Sequence, residues 1–464
     1  MEFDTFIHMP LQEDLKKTIS IVVEPTAPRV TIFSPINSAR IQYTCKFIFN
    51  RVLQVNFEIV TDWVIFERTR GTKINYSTKE ANGIVNIIPQ GLLFETGIGS
   101  EKPTAFLTNG MLGFFETHIS TKAFRFDIFS SVFYFISRYE EYQSYESDTH
   151  KRFEAKESLL FKHNFHLKPV VDYWILELKK VLEDTYDELV FPEKKIRIIS
   201  SIDVDNLYAF KSKGFLRTLG ASLKDAVKLD VKNLLTRTGV LLGFAKDPFD
   251  IYEDVSAFCQ SHGIPLVCFF LFKTGTKYDR TVDPGSDAFK KVFGILKKNK
   301  TFIGLHPSYN AAFKNGMLKE ELENFNRALE EKVNISRQHY LRFDIRTTPQ
   351  LLVKNGITVD FSMGFASSPG FRAGTSHPFS YFDFENDVEA PLIFVPFCGM
   401  DGAYFIYNSI TPDEAFKSLM DLANEIKKTN GFFVSVFHER TFYNHLYPGF
   451  GTLYKNLHLQ LKDL

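Results

Sequence analysis

Cysteine is scarce in this chain of 464 residues: Cys45, Cys259, Cys268 and Cys398 are scattered, and no two have the CxxC spacing. That argues against a disulfide framework and a cysteine-ligated zinc site, and it fits a reducing compartment. Net charge is absent as well. The 55 Lys and Arg are matched by 55 Asp and Glu, which removes the electrostatic argument for nucleic acid or an anionic membrane as partner. No stretch approaches about 18 uncharged apolar residues, so no transmembrane helix is expected. The opening MEFDTFIHMPLQEDLKK lacks a basic segment followed by an apolar run. It does not read as a secretory signal, and a cytoplasmic location is expected. Repeats and low-complexity segments are missing too. Phenylalanine, by contrast, is abundant at 49 residues, within an apolar share of 44%. That is material for large cores, at a length that suits two or three domains.

The chain divides near residue 190. From Ile196 onward, apolar strand-like runs alternate with helical segments: IRIISSI, PLVCFFLF, TFIGLH, HYLRF, ITVDF, LIFVPF and GFFVSVFH. Between several of them stand helix signals. Asp247-Pro248 reads as a cap followed by a first-turn proline, Ser286 as a cap, and Thr411-Pro412-Asp413-Glu414 as a capping box. Seven strands separated by helices predict a parallel sheet covered by helices, α/β in class and closed or nearly closed as a distorted (β/α)7 barrel. An open doubly wound sheet is the alternative. In both, sites form at the carboxyl ends of the strands. Residues 1–190 read as a second, smaller α/β domain, with SARIQYTCKFIFNRVL and DIFSSVFYFISRYEEY helical and NFEIVTDW, VIFERT and GIVNIIP as strands. Arg138, Glu140, Glu141 and His150 there read as a solvated loop.

The polar residues of residues 191–464 gather at strand ends. Ile196–Asn206 reads IRIISSIDVDN, an apolar strand closing on Asp203 and Asp205. Residues i and i+2 of a strand share a side, roughly 6–7 Å apart. At an effective dielectric near 20 their charges repel by about 2.5 kcal/mol, so a metal, a cation, a shared proton or water must offset the cost. His306, Arg342 and His438 end three further strands, and Asp360 stands on another. Asp with His is a metal-binding pair, a second Asp suits a general base, a second His suits a general acid, and Arg342 suits carboxylate orientation. Together they describe metal-assisted hydrolysis of an acyl group.

These motifs resemble the polysaccharide deacetylases of carbohydrate esterase family 4, the NodB homology domain, over roughly residues 196–464. The resemblance implies a barrel of β/α units, removal of acetyl groups from sugars, and a divalent metal, with zinc expected. SIDVDN implies Asp203 as general base and Asp205 as metal ligand. LHPSYN implies His306 as a second ligand, Arg342 is implied to orient the base, Asp360 to tune the catalytic histidine, and His438 to be the general acid. The pattern departs in two places. Val204 separates the two acids, so base and ligand could be exchanged. Asn310 stands where a second metal histidine is expected, leaving His377 or His339 to complete the set, and His377, on the long loop after Asp360, is the expected third ligand. The front half resembles an N-terminal domain found before such domains in some bacterial proteins.

The function expected is hydrolysis of an acetylated saccharide. One rival is a metal-free descendant that binds carbohydrate or an envelope-synthesis partner without catalysis. A second is a glycoside hydrolase using Asp203 and Asp205, which stand too close on one strand to flank a glycosidic bond well.

Overall fold

The computed structural model describes residues 29–100, 102–108, 110–117 and 124–464, together with Leu15 and Ile19. In the front half, strands β1 (Arg29–Phe33), β2 (Asn56–Val60), β3 (Thr72–Tyr76) and β4 (Val85–Ile87) form a parallel sheet ordered β2-β1-β3-β4. A short antiparallel pair follows, β5 (Phe106–Thr108) with β6 (Met111–Gly113). VIFERT, expected as a strand, is the helix Trp63–Arg68. Asp62 nucleates it by accepting the N–H groups of Val64 and Ile65, at 2.7 and 3.1 Å. The helix Ile128–Ile136 is buried on every side, which explains its unbroken apolar sequence.

Arg138, Glu140 and Glu141 are not a solvated loop. All three are buried, and Arg138 binds Glu140 and Glu141 at 2.8 Å each. Arg372 completes the network at 2.6 Å from Glu141, so a buried charge cluster joins the front half to the segment following Asp360. Most of the buried apolar side chains of both halves belong to one contiguous cluster. Phe133, for example, meets Phe382 edge to face with ring centres 5.1 Å apart.

The second half supplies β7 (Arg197–Val204), β8 (Leu266–Leu271), β9 (Phe302–His306), β10 (Ile335–Ser336), β11 (Val359–Asp360), β12 (Phe379–Asp383), β13 (Val388–Phe394), β14 (Gly399–Met400) and β15 (Phe432–His438). They form one sheet ordered β12-β13-β11-β10-β9-β8-β7-β15-β14, parallel throughout except for β12 on its edge. The expected α/β array of parallel strands is therefore present. No hydrogen-bonded closure joins β14 to β12 among the described residues.

The helix signals hold at Thr411, where both halves of the capping box form, and at Ser286, which accepts from the N–H of Ala288. They fail at Asp247. Its carboxylate accepts from the backbone N–H of Ala209, Phe210 and Lys211, and the next helix starts at Tyr252. Asp247 thus pins the loop that leaves β7. HYLRF is not a strand either. Tyr340 and Leu341 take φ of 61° and 50°, outside the extended region, and the strand there ends at Ser336.

Candidate metal centre

β7, β9 and β15 bring their carboxyl ends to one edge of the sheet. His438 lies in register with Asp203 on the neighbouring strand, and His306 closes β9 beside Leu271 of β8. The turn after β10 adds His339. Its left-handed Tyr340 lets the chain fold back beside β9, where the His306 and His339 rings stand 5.0 Å apart.

Asp205 faces both histidines. Its Oδ1 is 3.4 Å from Nε2 of His306 and 3.4 Å from Nε2 of His339. The three ligand atoms all lie within 4.8 Å of one another, and all three residues are buried. A spacing of 3.4 Å is long for a hydrogen bond, and Oδ1 has no hydrogen-bond partner. Two ligand atoms each about 2.1 Å from one ion at a tetrahedral angle stand about 3.4 Å apart. The donor set and its spacing therefore fit a divalent cation.

The far side of each ligand is held. Nδ1 of His306 meets the carbonyl of Arg337 at 2.5 Å, and Nδ1 of His339 meets Asp279 Oδ1 at 3.1 Å. Both contacts direct the free Nε2 lone pair toward Asp205, the arrangement that metal-ligating histidines commonly show. Asp205 Oδ2 accepts from Arg440 Nη1 at 2.5 Å. Burial alone would raise the Asp205 pKa, but the charge of Arg440 holds it well below the usual carboxylate range. Its backbone N–H and that of Asn206 donate to Glu439, whose own pKa is pushed up to about 8 by burial and by the Asp205 charge.

Asp203 points to a different partner. Arg337 Nη1 donates to its Oδ1 at 2.7 Å, while Nη2 binds Ser201 Oγ at 2.9 Å and Nε the Phe361 carbonyl at 3.0 Å. A fully buried guanidinium thus fixes the Asp203 carboxylate. His438 Nδ1 lies 2.7 Å from Asp401 Oδ1, and its backbone N–H donates to Asp401 Oδ2. Burial would lower the His438 pKa, but the Asp401 charge outweighs it and raises the value to about 9.

Three residues singled out in the sequence lie elsewhere. Arg342 donates to the Tyr309 carbonyl at 2.7 Å and stacks 4.2 Å over the Tyr309 ring; Arg337 occupies the place beside Asp203. Asp360 accepts from Ser336 Oγ and the Ser362 N–H, at 2.7 and 2.8 Å; Asp401 is the partner of His438. His377 is buried against Phe432, the first residue of β15. His438 is the last residue of that strand, roughly 20 Å away at about 3.3 Å per residue. His377 therefore belongs to the opposite end of the sheet and cannot complete the cluster. Asn310 Oδ1 is bound by Arg342 at 3.2 Å, outside the three-residue set.

Residues 30–187, about a third of the chain, match a family of unknown function, DUF7033. No curated protein matches. Among solved structures, the chain is similar to a putative polysaccharide deacetylase from Mycobacterium smegmatis, at 12% identity, with 59% of this chain and 86% of that chain covered and a TM-score of 0.37. A probable polysaccharide deacetylase from Pseudomonas aeruginosa PAO1 gives 9% identity, 57% and 84% coverage and a TM-score of 0.34. A CE4 family pseudoenzyme from Bacillus anthracis gives 10% identity, 58% and 62% coverage and a TM-score of 0.28. Likeness at this level carries no functional argument, and the reading of the site rests on its own geometry.

Proposed function

We propose that the chain is a metal-dependent deacetylase that hydrolyses an acetylated saccharide. Asp205, His306 and His339 are the residues that would hold a divalent cation, and two nitrogens with one carboxylate oxygen suit zinc. When bound, such a cation supplies Lewis-acid polarisation of a carbonyl and lowers the pKa of water. Asp203, oriented by Arg337, is the general base that takes a proton from the attacking water. His438 is the general acid. Asp401 keeps it protonated near neutral pH and fixes Nδ1, leaving Nε2–H to protonate the departing amine or alcohol as the acyl bond breaks. Acetate and the free amine or alcohol are the products.

The observation that carries the reading is the pair of 3.4 Å separations from Asp205 Oδ1 to the two imidazole nitrogens. Its test is hydrolysis of acetylated sugars in the presence of Zn²⁺ or Co²⁺. Metal-dependent acetate release that is lost in His339→Ala supports the assignment. Release that persists in a chelator rejects it.

The metal-free binding reading has one observation in its favour. Arg440 already sets a positive charge against Asp205 at 2.5 Å. That reading predicts saccharide affinity unchanged by chelation and no hydrolysis with any metal.

A further inference from the structure

Between β7 and the helix beginning at Tyr252, the chain runs through two helices, Phe215–Val227 and Val231–Leu241. This hairpin stands apart from the main core. No described residue between Tyr208 and Ile251 joins the large buried cluster, and Phe210, Val240, Phe249 and Tyr443 make a small cluster of their own. Its outward side is apolar. Phe215, Leu219, Leu223 and Val227 recur every fourth residue on one helix, with Phe215 79% and Val227 84% exposed. On the second helix Leu235 is 67% exposed, and Phe244 beyond it is 86% exposed. A soluble surface rarely leaves so many large apolar side chains in one place.

The charge of the hairpin is as distinctive. Residues 211–246 contain eight Lys or Arg and two Asp. Both acids are already paired, Asp225 with Arg237 at 2.6 Å and Asp230 with His445 at 3.0 Å. Lys224, Lys228 and Lys232 are exposed. The hairpin is also tied to the segments that carry residues of the candidate metal centre. It leaves β7 just after Asp205, and Tyr443 and His445, which follow His438, bind Asn233 and Asp230 at 3.1 and 3.0 Å.

We propose that this hairpin docks on an anionic lipid bilayer, its Phe, Leu and Val side chains entering the headgroup region and its lysines meeting lipid phosphates. An amphipathic helix with apolar residues on one face and basic residues flanking them binds such an interface in its plane. A second copy of the chain is a poorer occupant, because two strongly basic hairpins would oppose each other. The docked hairpin holds the metal-centre mouth beside the lipid surface. Taken with the deacetylase reading, on which this last step rests, the saccharide is one anchored in a membrane.

Vesicle co-sedimentation of the full chain tests the docking without any turnover, so its failure is distinct from failure of the deacetylase reading. The protein is expected to sediment with vesicles of phosphatidylcholine and phosphatidylglycerol at low salt, and weakly with phosphatidylcholine alone. Leu223→Ser with Val227→Ser and Leu235→Ser should abolish the binding with the melting temperature unchanged. Lys224→Gln with Lys228→Gln and Lys232→Gln should weaken it about a hundredfold, since each basic group near an anionic surface is worth a factor of about five. Absence of binding by the unaltered protein, or binding by both variants as strong as that of the unaltered protein, overturns the proposal. A self-associated form that the serine variant dissolves, without vesicle binding, assigns the face to a second copy instead.

Discussion

Asp205 and His339 lie 134 positions apart in the chain, yet the carboxylate Oδ1 of one and the Nε2 of the other stand 3.4 Å apart. His306 repeats the same distance from the same oxygen. This triangle separates the roles of the two acids at the end of β7. Asp205 turns Oδ1 to two imidazole nitrogens and only Oδ2 to Arg440, whereas Asp203 turns its Oδ1 to the Arg337 guanidinium.

That division predicts the behaviour of Asp203→Asn. The amide cannot accept a proton from water, but Asp205, His306 and His339 are untouched. Acetate release should fall by about 10²–10⁴, the usual worth of a general base, while bound metal stays at the unaltered level. Loss of the metal together with the activity would place Asp203 among the ligands.

Arg337 and Arg342 should differ in kind. Arg337 is fully buried and pairs with a carboxylate that is itself buried, so Arg337→Ala strands a charge. Denaturant unfolding should show a loss of about 3–5 kcal/mol. Arg342 is half-buried on an aromatic surface and touches no member of the cluster. Arg342→Ala should cost less and leave Asp203 oriented. The reverse order of destabilisation would contradict the placement of the two guanidinium groups.

The pairing of His438 with Asp401 should be visible in the pH dependence of stability. Its pKa rises from 6.5 to about 9 in the folded chain. A raised pKa means that the folded state holds the proton more tightly than the unfolded state. The stabilisation is therefore complete below about pH 6.5 and lost as pH rises through about 9. Glu439, raised to about 8, also makes stability fall with rising pH, but at lower values. Asp401→Asn isolates the histidine. Urea midpoints measured in chelator between about pH 6 and pH 10 should fall more steeply in the unaltered protein than in this variant. Parallel curves would show that Asp401 does not set the His438 proton affinity.

Legibility in the sequence followed the length of the element. β7, β9 and β15 are apolar runs of five to eight residues, and their terminal Asp203, Asp205, His306 and His438 stood out for that reason. β10 is two residues long. The apolar pattern of HYLRF drew the strand onto a turn, and with it the choice of Arg342 over Arg337. Asp401 follows β14, also two residues, and carries no periodic signal. The type of His377 and the length of its loop point to a ligand, a criterion that does not say which end of the sheet the loop covers. Its segment is tied down by Asp172, which accepts from the Ser376 N–H at 2.9 Å. Composition misled at the hairpin, because a net charge of zero over the whole chain conceals a strongly basic stretch of 36 residues from 211 to 246.

The direct test of the central claim is metal content after zinc loading and removal of excess, measured on the unaltered protein, His339→Ala and His377→Ala. The account predicts one zinc per chain in the unaltered protein and in His377→Ala, and none retained by His339→Ala. Zinc retained by His339→Ala, or lost from a folded His377→Ala, would contradict it.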